Sequence, residues 1–248
     1  PYFKAGETYS EGGNQWRGDS GNLAVTKGSF QNPLFDAFLD AGKTSGQGNS
    51  DDLNGYNPEG LARLDATKKN GRRCSAAVAF LRPALKRRNL TLITNAEVQK
   101  IEFERTRASA IHFLKDNSFE KARASKEIIL CAGAINSPKL LMLSGVGPAN
   151  HLQKCGIDPT LDLPGVGSNL QDHATLILQY KCKKRFNIHK VGNPIYKIAV
   201  GLRWFLSRDG VAASNIWEMG GLIKSADHVE YPNLQYHFGP VGFEFSGK

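Results

Sequence analysis

The residues best placed to do chemistry lie between positions 127 and 147. A continuously apolar run, Ile128-Ile129-Leu130-Cys131-Ala132, opens onto Gly133-Ala134-Ile135-Asn136-Ser137-Pro138, and a helical pattern follows. Such a run reads as a strand covered on both faces, of the kind found in parallel sheets. The turn is lined by Ala132, Gly133 and Ala134, whose small side chains let a ligand approach the backbone closely. A helix beginning there aims unpaired N–H groups and the positive end of its dipole back at the turn. Open α/β sheets bind nucleotides at such corners, and a tightly packed strand–helix connection with no ligand has the same local pattern. Six histidines are the other candidates. His173 stands in Asn169-Leu-Gln-Asp172-His173 and His237 in Asn233-Leu-Gln-Tyr-His237-Phe-Gly. A lone histidine is more often structural than reactive. Asp51-Asp52-Leu53-Asn54-Gly55 lacks the ligand spacing of a calcium loop and reads as a turn.

Several chemistries are not written here. GxSxG, HExxH and a complete GxGxxG are absent. The four cysteines, Cys74, Cys131, Cys155 and Cys182, contain no CxxC pair, so neither a zinc ribbon nor a dithiol redox site is indicated, and a reducing, intracellular compartment is favoured. The charge is +9, from 32 Lys+Arg against 23 Asp+Glu. The basic clusters Lys68-Lys69, Arg72-Arg73, Lys86-Arg87-Arg88 and Lys181–Arg185 are short and separated, which does not suit a nucleic-acid partner. They read first as solvated faces, and otherwise as sites for an anionic ligand, cofactor phosphates or a membrane surface. No apolar run approaches the roughly 18 residues of a membrane span.

The elements that must position these residues follow from periodicity. Pro33–Ala41 is an amphipathic helix with Asn32 as cap and Gly42 at its end. Ser75–Arg88 is a second helix, kinked or cut short at Pro83. From Leu90 the period changes to two: Leu90–Thr94, Val98–Arg105, Ala108–Lys115 and Phe119–Ala124 read as strands, the last three as a half-exposed antiparallel meander, before the covered strand Glu127–Ala132. Ser137 caps a short helix, Lys139–Leu143, with Pro138 at its first position. Ala149–Cys155 is another helix. Leu176–Cys182 and Leu234–Phe238 are further strands. With 248 residues and 40% hydrophobic side chains the chain can bury an ample core. Opening on Pro1, it is expected to be a processed product or a fragment.

Gly133-Ala-Ile-Asn-Ser137-Pro138-Lys-Leu-Leu-Met-Leu-Ser144-Gly145-Val146-Gly147 resembles the second signature of the glucose–methanol–choline (GMC) flavin oxidoreductases at every defined position. Asp52-Leu-Asn-Gly-Tyr-Asn, Gly71-Arg-Arg-Cys-Ser75, Asn89-Leu-Thr-Leu-Ile-Thr, Leu163-Pro-Gly-Val-Gly-Ser-Asn-Leu-Gln-Asp-His173, Ser214-Asn215 with Glu218-Met-Gly-Gly221, and Pro232-Asn-Leu-Gln-Tyr-His237-Phe are similar to family segments in family order. The choline dehydrogenase branch is nearest.

The resemblance implies an α/β fold in which an incomplete Rossmann-like FAD-binding domain adjoins an antiparallel-sheet substrate domain. Residues 71–173 would belong to the FAD domain, 1–70 to a substrate-domain or connecting segment, and 174–248 to the substrate domain. It implies FAD, an alcohol substrate such as choline, hydride transfer to flavin N5, and an unspecified electron acceptor, with mitochondrial or membrane-associated settings open. The alternatives are a dehydrogenase of uncharged primary alcohols and a non-catalytic binding module. By the same resemblance Val98, Ala132, Gly133, Asp172 and His173 would meet the cofactor. His237 and Phe243 would meet the substrate, His237 donating to the alcohol or alkoxide oxygen. Two positions depart from the choline pocket: Thr175 stands where a glutamate faces the trimethylammonium group, and Ile195 near where a tryptophan is expected. The family's GxGxxG strand is expected before Pro1 and its catalytic histidine beyond Lys248, so the chain by itself is expected to be inactive.

Overall fold

The computed structural model describes residues 1–184, 186, 188 and 192–242. In chain order the strands are β1 (Glu7–Tyr9), β2 (Leu23–Lys27), β3 (Gly60–Arg63), β4 (Asp65–Ala66), β5 (Lys68–Lys69), β6 (Arg72–Arg73), β7 (Ala96–Glu104), β8 (Arg107–Lys115), β9 (Ser118–Arg123), β10 (Val146–Gly147), β11 (Leu161–Asp162), β12 (Met219–Ile223) and β13 (Leu234–Phe238). The α-helices are α1 (Tyr2–Gly6), α2 (Pro33–Thr44), α3 (Arg82–Ala84), α4 (Gly133–Leu143), α5 (Ala149–Lys154) and α6 (Pro194–Ser207). They fall into two compact units, one of Pro1–Leu90 with Leu178–Lys248, the other of Thr91–Ile177.

The first unit is built on the antiparallel order β13–β12–β3, in which Gly220 pairs with both His237 and Ala62. α2 packs on β3. Asn32 caps it as its sequence requires, accepting from the Leu34 N–H at 2.9 Å, but the helix runs through Gly42 to Thr44. Phe35 is wholly buried, edge-on to Phe30 and Phe238 at centroid distances of 6.0 and 6.5 Å. A second sheet, β1–β2–β4, is fastened by Arg17. Its guanidinium reaches Glu7 at 2.9 Å and both Asp52 and Asp65 at 2.8 Å. The acidic turn at 51–55 therefore contributes a carboxylate to a buried arginine. Among the described residues no cluster of potential metal ligands occurs. The segment after Ser75 is a π-helix, Ala77–Leu81, passing into the three residues of α3, so it ends early, at Ala84, just past Pro83.

The second unit holds the antiparallel meander β7–β8–β9, in the register the alternation demands: Val98 faces Phe113, and Phe113 faces Glu120. Ile101, Ala110 and Phe113 form its core with Leu140 of α4 and Leu152 of α5.

Four sequence expectations are corrected. Leu90–Thr94, Glu127–Ala132 and Leu176–Cys182 form no strand. A strand is stabilised by its ladder, and among the described residues none lies alongside these runs. Their side chains are correspondingly open: Ile129 is 73% exposed. The helix expected from Lys139 begins instead at Gly133, which leaves Pro138 inside it and Ser137 without a capping role.

Candidate functional site

The small-residue corner lies at the start of α4. Ala132, Gly133 and Ala134 are all exposed. A Cβ built on Gly133 would meet nothing within 4 Å, so no bulky atom fills the corner. Gly133 has φ +83, a conformation that other residues reach only with strain. The cap position is Ala132, and no side chain caps the helix. Its first N–H groups thus remain available to an acceptor, with the dipole reinforcing their pull on an anion.

The far end of the same motif does a different job. The Ser144 hydroxyl donates to the Leu140 carbonyl at 2.6 Å and accepts from the Ile101 N–H at 2.8 Å, tying the end of α4 to β7. Gly145 (φ +85) turns the chain where a Cβ would strike Thr160 Oγ1 at 2.6 Å, and at Gly147 a Cβ would strike Met142 at 2.9 Å. From there β10 runs parallel to β11. Gly133 is thus open to a ligand, while Gly145 and Gly147 are required for packing.

Val98 lies on β7, the strand held by Ser144. It shares a strand face with Ala96, which lines a shallow depression of about 520 Å³ with Asn95, Glu97, Leu114, Asp116 and Asn117. Two carboxylates in that lining disfavour phosphate and suit a hydroxyl-bearing group such as a ribose. Asp172 and His173 are almost fully exposed, their ring and carboxylate 3.7 Å apart. Val98, Ala132, Gly133, Asp172 and His173 all belong to the second unit, and His237 to the first. His237 is exposed on β13. Phe243 lies outside the described residues.

Sequence reasoning overlooked Trp217. A Cβ on Gly239 would meet its ring at 3.0 Å, so this indole borders the end of β13 two residues past His237. Hairpin arithmetic contained the signal: Met219 pairs with Phe238, which carries position 217 toward 239–240. Ile195, where an aromatic was sought, instead points outward from α6.

The α/β fold is one shared with FAD-dependent oxidoreductases. The FAD-dependent oxidoreductase from Chaetomium thermophilum superposes with a TM-score of 0.79 at 24% identity, over 90% of this chain and 42% of that one. Pyridoxine 4-oxidase from Mesorbium loti gives 0.63 at 32% identity, over 66% and 32%. The family profile of GMC oxidoreductase matches residues 1–175, and the chain belongs to the GMC oxidoreductase family. It is 44% identical over 249 residues to the oxygen-dependent choline dehydrogenase of Staphylococcus xylosus, spanning all of this chain and 44% of that protein's length.

Proposed function

We propose that this chain is part of an FAD-dependent dehydrogenase that oxidises an alcohol, with choline as the first substrate to test. The observation that carries the reading is the open, uncapped start of α4 at Gly133, within a chain 44% identical throughout to an oxygen-dependent choline dehydrogenase. The residues fit a dinucleotide cofactor. Ala132 and Gly133 would receive its phosphate-bearing part at the helix N-terminus, and Val98 with the depression beside it would receive the nucleoside. Asp172 and His173 would close the same unit's contribution. Bound FAD supplies a hydride acceptor for the alcohol carbon. The chain's own residues bind and orient: His237 donates a hydrogen bond to the alcohol or alkoxide oxygen, and Trp217 offers the aromatic face that a trimethylammonium group favours. The residues 1–70, 71–173 and 174–248 would divide between substrate and cofactor as the family resemblance implies, with 71–90 packed in the first unit.

Thr175 supports a second reading, an uncharged primary alcohol, because no carboxylate stands at that position to meet a cation. The test uses the full-length protein, its flavin spectrum, and reduction of an artificial acceptor by choline and by uncharged alcohols, with Thr175→Glu alongside. A yellow protein that turns over choline, with Trp217→Ala raising KM for choline alone, supports the first reading. A yellow protein that prefers uncharged alcohols and gains choline activity with Thr175→Glu supports the second. A colourless, folded protein overturns both.

A further inference from the structure

Lys68 and Glu218 have no part in the site described above, and both are buried, which is rare for their types. Lys68, which the sequence sets in a short basic cluster on a solvated face, is 8% exposed, and Glu218 is 1% exposed. Glu218 Oε1 lies 3.5 Å from Lys68 Nζ and accepts no hydrogen bond. Its Oε2 accepts from the Phe30 N–H at 2.7 Å and lies 3.9 Å from Arg63 Nη1. Gly28 leaves room for this carboxylate, since a Cβ there would stand 3.0 Å from Oε2. The Lys68 ammonium also donates to the Ala213 carbonyl at 3.3 Å. One buried cation therefore meets both ends of the segment 213–218, which leads into β12 and carries Trp217.

Between those ends the backbone is strained. Ile216 has φ +70, a conformation that a β-branched residue adopts only where its surroundings impose it. The Ser214 hydroxyl accepts from the Ile216 N–H at 2.9 Å, and the Glu218 carbonyl accepts from the Leu64 N–H at 2.9 Å, so the turn is closed locally and pinned to the chain after β3. Trp217 stands directly after the strained residue and directly before the buried carboxylate.

We propose that Lys68 and Glu218 are positioning residues: their buried ion pair holds the segment 213–218 in its strained form and so fixes the Trp217 indole where a trimethylammonium group would meet its face. The proposal deepens the function proposed above and rests on its reading of Trp217. Stability alone does not account for the pair, because desolvating two charges offsets most of their attraction, and apolar side chains of the same volume would hold a core as well. What the pair supplies is a single arrangement. The ammonium reaches the Ala213 carbonyl and the Glu218 carboxylate together only while the residues between them are folded as they are. Without it, Ile216 would relax to an ordinary conformation and swing the next residue with it.

The test uses the full-length protein with Lys68→Met, with Glu218→Gln, and with both. Acrylamide quenching of Trp217 fluorescence, taken as the difference between each protein and its Trp217→Phe counterpart, should rise roughly twofold or more as the segment opens. KM for choline should rise about fivefold or more, the effect of a lost cation–π contact, while KM for the uncharged tert-butyl isostere of choline changes by less than about twofold. In a Trp217→Ala background the same substitutions should add no further rise, because they act through the indole. The double variant removes both charges of the pair and leaves neither facing the gap of the other, so it reports even if a single variant fails to fold. Unchanged quenching in a folded variant, KM values that rise equally for both alcohols, effects that add to those of Trp217→Ala, or a double variant that does not fold would overturn the proposal. A Trp217→Ala variant with wild-type KM for choline would overturn the substrate reading of Trp217. Raised quenching would then still support the pair as the mount of the indole, and unchanged quenching would overturn that too.

Discussion

Replacing Gly133 separates the cost of folding the corner from its use. At φ +83 an L-residue pays about 1–2 kcal/mol of backbone strain. The new Cβ meets no atom within 4 Å, so steric overlap adds nothing. Gly133→Ala should therefore destabilise the protein by about 1–2 kcal/mol, and Gly133→Asn by less, because asparagine tolerates the left-handed region. Under the proposed function each side chain would nevertheless stand where a cofactor's phosphate would approach the backbone, and flavin affinity should fall at least about tenfold, or 1.4 kcal/mol. Gly165 provides the control: its Cβ also meets nothing, its φ is not in the left-handed region, and Gly165→Ala should stay within about 0.5 kcal/mol of wild type. Urea unfolding of the apoprotein gives the first quantity, and quenching of flavin fluorescence in full-length protein gives the second. A Gly133→Ala variant that is destabilised as calculated yet binds flavin with wild-type affinity would refute the assignment of the corner. One destabilised by more than about 4 kcal/mol would show that the corner is packed, not open.

Three further outcomes follow from contacts elsewhere. Arg17→Met strands Glu7, Asp52 and Asp65 without their shared cation and should destabilise the first unit by about 3–5 kcal/mol in urea titration. Ser144→Ala leaves the buried Ile101 N–H without an acceptor and should cost about 1–3 kcal/mol; hydrogen exchange at Ile101 should accelerate as α4 loosens from β7. Hydrogen bonds from Lys121 and then His112 hold the Glu102 carboxyl down at about 2 from its ordinary 4.5. Because the folded value is the lower one, this stabilisation is complete above 4.5 and is lost as pH falls through 2, and melting of Glu102→Gln should lack that component of the acid dependence.

What could be read in advance depended on whether a residue's partners were local. The meander was legible because its alternation and its partners lie within thirty residues, between Ala96 and Arg123. The Asn32 cap was legible for the same reason. The run Ile128–Cys131 has the composition of a covered strand, yet composition names no neighbour, and without a ladder the backbone stays irregular. The β1–β2–β4 sheet was missed because its strands are too short for a period and its fastening, Arg17 to Asp65, joins residues 48 apart in sequence. α6 was not read as a helix, because its inner face carries Val200 and Trp204 as well as its outer face Ile198 and Leu202, which blurs the amphipathic signal. Of the proposed site, the corner residues were named from the local pattern and the family signature, and the structure leaves them open and uncapped, whereas the place of Trp217 beside β13 required the β12–β13 register.

That signature can now be divided by mechanism. A motif match weights its glycines equally, but their surroundings do not. Gly145 and Gly147 are excluded from substitution by Thr160 and Met142, which fixes the path into β10 and, through Ser144, the attachment of α4 to the strand bearing Val98. Gly133 has no such neighbour, and packing gives no reason for its lack of a side chain. The left-handed turn accounts for glycine there only in part, since asparagine also adopts it at small cost. What remains to be explained is the bare surface itself, beside uncapped helix N–H groups, and under the proposed function a phosphate lying against the backbone would explain both together. The second half of the motif is therefore the frame, and the first half is the surface that the frame holds in place.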